Sequence, residues 1–267
     1  MLPLGNAISQ HNVNFHSYAD DTQLYLSVEP TNPDGLCSLT ACLTSINQWM
    51  SKKLLKLNDD KTEVLLVGPK LKRDIILSNL GNLAHQVKPK VTSLGVILDA
   101  ELSFKPHISK VTQTAYFHLR NIAKVWPFLT QQDAEKLIHA FITSRLDYCN
   151  ALFTGLPKKH LKKLALIQNS AARLLTKTKK REHITPVLAE LHWLPISYRI
   201  DFKVMLITYK ALNGIAPSYI SELLISYQPQ RKLRSSNSNL LIVPKVLHKQ
   251  SGEAAFIHYA PKLWNTL

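Results

Sequence analysis

Residues 15–26 have the sequence FHSYADDTQLYL, and they decide how the first part of the chain folds. Bulky aromatic and aliphatic residues lie on both sides of a short polar break at Ala19, Asp20 and Asp21. This composition is typical of two β-strands joined by a tight turn. The stretch therefore predicts a β-hairpin with two adjacent carboxylates at its tip.

The two carboxylates have two possible interpretations. Asp20 and Asp21 place several oxygen atoms in a small volume, and their repulsion costs free energy unless they face water or a divalent cation such as Mg²⁺. Their spacing is equally compatible with an ordinary polar turn. The residues alone therefore do not decide between a polar turn and a metal site.

Composition places the chain among globular proteins. It has 267 residues, 45% of them hydrophobic, which is enough for one or two domains. No apolar run is long enough to span a membrane, and the N-terminus has no secretory signal pattern. Cys37, Cys42 and Cys149 have no metal-ligand spacing and are expected to be reduced, buried thiols. We therefore expect an intracellular protein of the nucleus or cytoplasm that is not secreted.

Charge is distributed unevenly along the chain. The net charge is +15, of which residues 1–149 contribute +2 and residues 150–267 contribute +13. A basic region of this kind predicts a polyanionic partner, most simply the backbone of nucleic acid. The alternative is a soluble basic protein with no such partner.

Hydrophobic periodicity predicts an α+β fold, with a small antiparallel sheet followed by a mostly helical region. Helices are predicted at 36–57, 106–125, 130–153, 196–212 and 218–225, with Thr130 as an N-cap. Strands are predicted at 61–67, 75–77, 91–94, 95–98 and 240–243, and residues 226–239 are predicted to be a flexible loop. The helix at 36–57 should cover the sheet, which is expected to have an unpaired edge. His192, beside Trp193, is expected to be a packed histidine.

The most basic segment begins at Pro157. Residues 157–181 contain no acid, and an apolar stripe through them predicts a helix with a cationic surface. Such a helix is suited to contacting phosphates, and without interleaved aromatic residues it should follow the backbone instead of reading bases. An anionic membrane would attract the same composition, but we expect no membrane partner. The predicted nucleic-acid contacts are Lys158, Lys159, Lys162, Lys163, Arg173, Lys177, Lys179, Lys180 and Arg181.

The sequence Tyr18-Ala19-Asp20-Asp21 resembles the catalytic hairpin of reverse transcriptases, and the flanking sequence resembles that of the non-LTR (LINE-type) retrotransposon branch. The resemblance implies an RNA-directed DNA polymerase in which Asp20 and Asp21 are catalytic and hold Mg²⁺. It also implies that Tyr18 contacts nucleic acid. The implied partners are an RNA template and a DNA primer, and the small-molecule substrate of a complete enzyme would be a dNTP.

Two later segments extend the resemblance. Residues 57–67 match the palm motif that follows the hairpin, which implies that Lys61 assists the departure of pyrophosphate. A solvated lysine at a strand edge is the alternative. Residues 93–99 are similar to the primer grip, where Gly95 would allow close approach of nucleic acid. A packing bulge explains that glycine as well.

By this resemblance, residues 1–105 are a partial palm, 106–225 a thumb-like basic helical region, and 226–267 a flexible loop and C-terminal tail. The family holds its metal ions with a further aspartate on an earlier strand, and no acid precedes Asp20. We therefore expect a truncated reverse transcriptase, inactive alone, in which Mg²⁺ binding is weak or lost. The alternatives are a non-catalytic nucleic-acid-binding module that uses the helix after Pro157, a helical protein–protein scaffold, or a fragment with no selected role.

Overall fold

The fold was analysed in a computed structural model, which describes residues 2–32, 34–228, 239–246 and 252–267. The chain is α+β and divides into two compact units, Met1–Ser103 and Phe104–Leu267. The first unit contains both β-hairpins, and the second is largely helical. None of the described helices is both long enough and apolar enough to cross a membrane.

The first unit begins with a short helix that leads into the first hairpin. The elements in this part are α1 (Leu2–Ser9), β1 (Asn14–Tyr18), β2 (Asp21–Tyr25) and α2 (Asp34–Lys52). Ile8 of α1 and Cys42 of α2 are fully buried in one core cluster. Gly5 lets α1 approach the hairpin, since a Cβ at this position would lie 2.9 Å from Phe15 Cζ. The predicted hairpin and its covering helix are thus confirmed, although the helix ends at Lys52 and not at residue 57, and α1 completes their core.

The rest of the first unit forms a second hairpin. It contains a 3₁₀ turn (Asp59–Lys61), α3 (Lys70–Asn79), a 3₁₀ segment (Gly81–Gln86), β3 (Lys90–Ser93) and β4 (Val96–Asp99). β3 and β4 pair antiparallel, which confirms the strands predicted from 91 to 98. The two hairpins are separate two-stranded sheets, so the expectation of one small sheet is wrong.

Two other strand predictions in this unit are wrong. Residues 75–77 lie inside α3, because a run of three apolar residues is too short to distinguish a strand from a helix. Residues 61–67 form no regular strand, and only Val64 makes a single parallel bridge, to Val87. That bridge is held by two backbone hydrogen bonds, from Val64 N to Gln86 O and from Lys88 N to Val64 O.

The second unit is built from helices. In order they are α4 (Lys105–Val125), a 3₁₀ turn (Trp126–Phe128), α5 (Gln131–Ile138), a π-helical segment (His139–Thr143), α6 (Ser144–Asp147), a 3₁₀ turn (Asn150–Phe153), α7 (Lys158–Thr176), α8 (Ile184–Glu190), α9 (Ile196–Leu212), α10 (Ser218–Ser221) and α11 (Phe256–Trp264). The Thr130 side chain accepts a hydrogen bond from Asp133 N, which confirms the predicted N-cap of α5.

Helices α4 and α7 pack side by side and run in the same direction. At one end, Lys105 of α4 is close enough to His160 of α7 to influence its protonation. At the other end, Lys177 Nζ lies 5.8 Å from the ring centroid of Trp126, the residue that follows α4. The first turns of the two helices therefore lie at the same end of the pair.

Several helix boundaries and environments in this unit differ from expectation. The helix predicted over 130–153 is interrupted by π and 3₁₀ segments, and the helix predicted over 218–225 ends at Ser221. The strand-like residues 240–243 contribute one bridge, between Leu241 and Ser226. Within the predicted loop 226–239, residues 229–238 lie outside the described residues.

Two predictions about buried side chains are also wrong. Cys37 and Cys149 are exposed, and only Cys42 is buried, although all three thiols are free. His192 is exposed because it follows α8 with a left-handed φ of +53°, which turns it outward while Trp193 is buried. A histidine next to a core tryptophan need not share its environment, since a positive φ changes the direction of the chain.

Candidate functional site

The first hairpin presents two different faces. Its register pairs Phe15 with Leu24 and Tyr18 with Asp21, so these pairs project to opposite sides of the ribbon. Phe15 and Leu24 pack against the core cluster of the unit. Tyr18 is 69% exposed and Asp21 is exposed as well. One carboxylate of the pair therefore belongs to the open face of the hairpin.

The open face also carries a histidine–tyrosine pair. His16 and Tyr25 stack with their ring centroids 5.3 Å apart, and Tyr25 Oη lies 3.1 Å from His16 Nε2. Both residues alternate with core-facing neighbours along their strands, so they lie on the same side as Tyr18 and Asp21. This face is therefore aromatic and polar, with the carboxylate at its end.

The tip of the hairpin is a two-residue turn made by Ala19 and Asp20. Ala19 has a φ of +54°, in the left-handed region that glycine adopts at little cost and other residues adopt rarely. Uncommon conformations of this kind concentrate at functional sites. The turn leaves Asp20 exposed at the tip, next to Asp21 at the start of β2.

Asp20 and Asp21 provide the kind of ligand that Mg²⁺ takes. This ion is commonly held by one or two carboxylates, with water or substrate phosphates completing its coordination. Neither aspartate makes an ion pair or a side-chain hydrogen bond with another part of the chain that the structure describes. Among those same residues, no group of three His, Cys, Asp or Glu side chains is arranged to hold a metal ion. The pair therefore offers two adjacent, solvent-exposed carboxylates without a third ligand among the described residues.

Lys61 and Gly95 lie in turns. Lys61 is exposed at the end of a 3₁₀ turn, where its backbone N–H donates to Asn58 Oδ1 at 3.1 Å. Within the described ranges, no side-chain bond joins Lys61 to Asp20 or Asp21. Gly95 follows Leu94 in the two-residue turn between β3 and β4, and both have positive φ values, +80° and +46°. The glycine therefore meets a conformational need of the turn, and the strand contains no bulge there.

The basic segment after Pro157 forms α7, and four lysines lie near its N-terminus. Lys158, Lys159, Lys162 and Lys163 are all exposed. Pro157 provides no side-chain cap, and the first turn has no acidic residue. Cations at this end oppose the helix dipole, which is positive at the N-terminus. This end of α7 is therefore a concentration of positive charge that the helix itself does not neutralise.

His160 lies close enough to these lysines for their charge to change the pKa of its imidazole. Burial lowers the pKa of its imidazole, and the charges of Lys159, Lys105 and Lys163 lower it further. Its Nδ1 atom is buried and has no hydrogen-bond partner among the described residues. Lys105 reaches this cluster from α4, so the structure adds a cation that sequence analysis did not include.

The cations at the far end of α7 have different roles. The Arg173 guanidinium donates hydrogen bonds to the carbonyl oxygens of Lys179 and Glu182, the second at 2.7 Å. It thereby holds the loop after α7 in place, with one donor on each terminal nitrogen engaged within the protein. Lys177 adopts a φ of +57° at the C-terminal cap and lies over the Trp126 ring. Lys179, Lys180 and Arg181 are exposed in this loop, followed by the exposed Glu182 and His183.

The exposed face of α4 was not predicted from the sequence, where only the apolar stripe of this helix stands out. Lys110, Phe117, Arg120 and Lys124 recur at helical spacing on the side opposite the buried Ile108, and all four are exposed. The spacing was available in the sequence, but polar residues opposite an apolar stripe are normally an ordinary solvated face.

The positive charge of the chain is concentrated in the second unit. The first unit has a net charge of −1 and the second a net charge of +16.

Compared with protein-family models, curated proteins and solved structures, the chain matches none.

Proposed function

We propose that the chain provides a catalytic-type hairpin and a nucleic-acid-binding helical unit of an RNA-directed DNA polymerase of the non-LTR retrotransposon kind. The observation that carries the proposal is the two-residue turn, which places Asp20 at its tip and Asp21 opposite Tyr18. In this proposal Met1–Ser103 contains part of a palm, and Phe104–Leu267 acts as the thumb-like region.

The proposed chemistry is phosphoryl transfer to a primer 3′-hydroxyl, with pyrophosphate as the leaving group. When bound, Mg²⁺ would activate the attacking oxygen and stabilise charge on the leaving group. Asp20 and Asp21 would hold the ion, Tyr18 contacts nucleic acid, and Gly95 allows close approach of the primer strand. Lys61 assists pyrophosphate through its positive charge. These roles follow from the resemblance of the sequence, and the exposure of the two carboxylates supports them.

We propose further that the chain alone binds primed nucleic acid without extending the primer. Polymerisation uses two metal ions, and within the described ranges no third metal-binding side chain joins the two aspartates. Binding depends on the cationic surface of α7, where four exposed lysines lie within six residues. Phosphate contacts of this type release counterions, so affinity falls steeply as salt is added.

The test supplies the purified chain with Mg²⁺, a primed RNA template and dNTPs, and measures binding and extension separately. We expect salt-sensitive binding and no extension. Primer extension that disappears in Asp20→Ala would establish that the two aspartates suffice for polymerisation. It would overturn the proposal that the chain alone does not extend a primer. Absence of salt-sensitive binding would overturn the proposed role of the helical unit.

A matched pair of charge reversals identifies the binding surface. Changing Lys158, Lys159, Lys162 and Lys163 to Glu should abolish binding. The control changes Lys52, Lys53, Lys56 and Lys70 to Glu, which alters the net charge equally but lies in the first unit. Equal losses in both variants would mean that net charge alone attracts the nucleic acid, and would contradict a defined surface on α7.

The second candidate function is a nucleic-acid-binding module with no catalytic role, and the net charge of +16 on the helical unit favours it. The Asp20→Ala/Asp21→Ala variant separates the candidates. Unchanged binding at every Mg²⁺ concentration favours the module, whereas loss of a Mg²⁺-dependent part of the affinity favours the polymerase hairpin. Binding to anionic lipid vesicles, with none to nucleic acid, would reject both candidates.

A further inference from the structure

The exposed face of α4 combines cations with an aromatic ring. Lys110, Gln113, Thr114, Phe117 and Arg120 line one shallow depression, and none of these residues is acidic. Phe117 is 53% exposed, at the middle of the stripe. Arg120 follows Lys110 by ten positions, which correspond to about 15 Å along the helix axis, so the two cations lie on either side of the ring.

The Phe117 ring is supported by a row of rings on the protein. It makes an edge contact with His118 at a centroid distance of 5.4 Å, and His118 stacks on Phe141 at 5.0 Å. Arg145 Nη2 lies 3.4 Å from His118 Nε2, and arginine offers only donors, so this ring nitrogen accepts. Contacts on the protein side restrict the movement of His118, and the outer face of Phe117 is left to solvent.

The last ring of this row, Phe141, belongs to the π-helical segment His139–Thr143. A π turn widens the helix and changes the direction in which later side chains project, and such turns are frequent at functional sites. Arg145 Nε donates to Phe141 O at 3.1 Å, so the same arginine contacts both Phe141 and His118. Two helical segments that are distant in sequence thus build one aromatic and cationic surface.

We propose that this surface, formed by Lys110, Gln113, Thr114, Phe117 and Arg120, binds unpaired nucleotides of single-stranded nucleic acid. A base stacks on the open face of Phe117, and Lys110 and Arg120 neutralise the neighbouring phosphates. Aromatic rings between cations are the combination that single-strand-binding proteins use. A duplex does not fit this description, because its bases are already stacked and offer no free face.

This inference goes beyond the proposed function, since α7 would contact the phosphate backbone and α4 would add recognition of unpaired bases. The experiment titrates the full chain with a short oligothymidylate and with a duplex of equal phosphate number. A single 2-aminopurine in the oligothymidylate reports stacking through its fluorescence. The variants are Phe117→Leu, which keeps an apolar side chain without a π face, and Phe117→Tyr, which keeps the ring.

We expect Phe117→Leu to weaken oligothymidylate binding by roughly 5- to 100-fold and to leave duplex binding within about 2-fold, since loss of base stacking accounts for such changes. Phe117→Tyr should retain affinity and the quenching of 2-aminopurine. Because the side chain is more than half exposed, both variants are expected to keep the thermal stability of the parent.

Three results would overturn the inference. Unchanged oligothymidylate binding in Phe117→Leu rejects stacking on this ring, as does an equal loss for the duplex and the single strand. Absence of 2-aminopurine quenching in the parent protein rejects it independently. If charge reversal on α7 abolishes duplex binding while Phe117→Leu has no effect on the single strand, the proposed function stands and this inference fails.

Discussion

Arg199 Nη1 donates a hydrogen bond of 2.7 Å to Asp147 Oδ2, joining α9 to the end of α6 across 52 residues of chain. Arg199 Nε donates to Leu194 O at 2.8 Å, and Gln168 Nε2 of α7 donates to the same oxygen at 2.7 Å. Only 16% of the Arg199 side chain and 34% of the Asp147 side chain are exposed. The pair therefore connects three helical segments in a partly dehydrated environment.

We expect Asp147→Ala to lower the free energy of unfolding of the helical unit by about 1.5–3 kcal/mol, because it removes a charge-assisted hydrogen bond and leaves a largely buried guanidinium. Urea denaturation measures the change. A cycle with Arg199→Met and the double variant isolates the pairwise contribution. Additive effects in that cycle would show that the ion pair contributes nothing of its own.

Ala19→Gly should stabilise the first hairpin. Alanine at a φ of +54° is disfavoured by about 1–2 kcal/mol, part of which glycine loses again through its greater freedom in the unfolded chain. We expect a net gain of about 0.5–1 kcal/mol, measured by hydrogen exchange of the hairpin amides. Ala7→Gly, in the middle of α1, is the control and should lose about 1 kcal/mol. A loss at both positions would contradict the strained turn.

Lys158→Glu/Lys159→Glu should raise stability while lowering affinity for nucleic acid. Carboxylates in the first turn of α7 complement the helix dipole, with a gain of about 0.3–1 kcal/mol for each substitution. The melting temperature and a salt titration of binding measure the two effects. The corresponding double change to Gln removes charge without reversing it and should give an intermediate result. A lower melting temperature in the Glu variant would mean that the lysine stems contribute packing.

Acidification should destabilise the helical unit. Burial lowers the pKa of His107, and burial with nearby lysines lowers the pKa of His160. An unfolded histidine binds its proton near pH 6.5, so the unfolded state takes up protons first as the pH falls below that value. Stability is therefore fully present above about pH 6.5 and decreases on acidification. Urea midpoints across this range measure the effect.

His107→Gln tests the assignment, because glutamine keeps a polar group at the buried position without titrating. The decrease in the stability of the helical unit on acidification should become shallower in this variant. His192→Gln changes an exposed histidine instead and should leave the decrease intact. Identical pH profiles for His107→Gln and the parent would remove His107 from the explanation.

Ile8→Ala tests whether α1 is an integral part of the first unit. Ile8 is fully buried against the cluster that includes Cys42, so its truncation should cost about 2–5 kcal/mol. Leu71→Ala removes an apolar side chain that is 76% exposed and should have little effect. Denaturation followed through Trp49, which packs against the same cluster, measures both. Similar small effects would show that α1 is dispensable for the unit.

The candidate site was predictable where it depends on short-range chemistry. A tight turn between two runs of strand formers placed Asp20 and Asp21 at a hairpin tip, and the apolar spacing of α4 and α9 identified these helices. The same rules failed for residues 75–77, because a short apolar run is compatible with either a strand or a helix. They also failed for His192, whose direction depends on a single backbone angle.

By itself, the sequence determined the hairpin, the main amphipathic helices and the concentration of positive charge in the second part of the chain. Each of these depends on the chemistry of residues that are close together along the chain. Only the tertiary structure decided that Lys105 joins the charge around His160 and that Arg173 holds a loop. It also decided that Phe141 supports His118, because that contact depends on how distant segments pack and on one π turn.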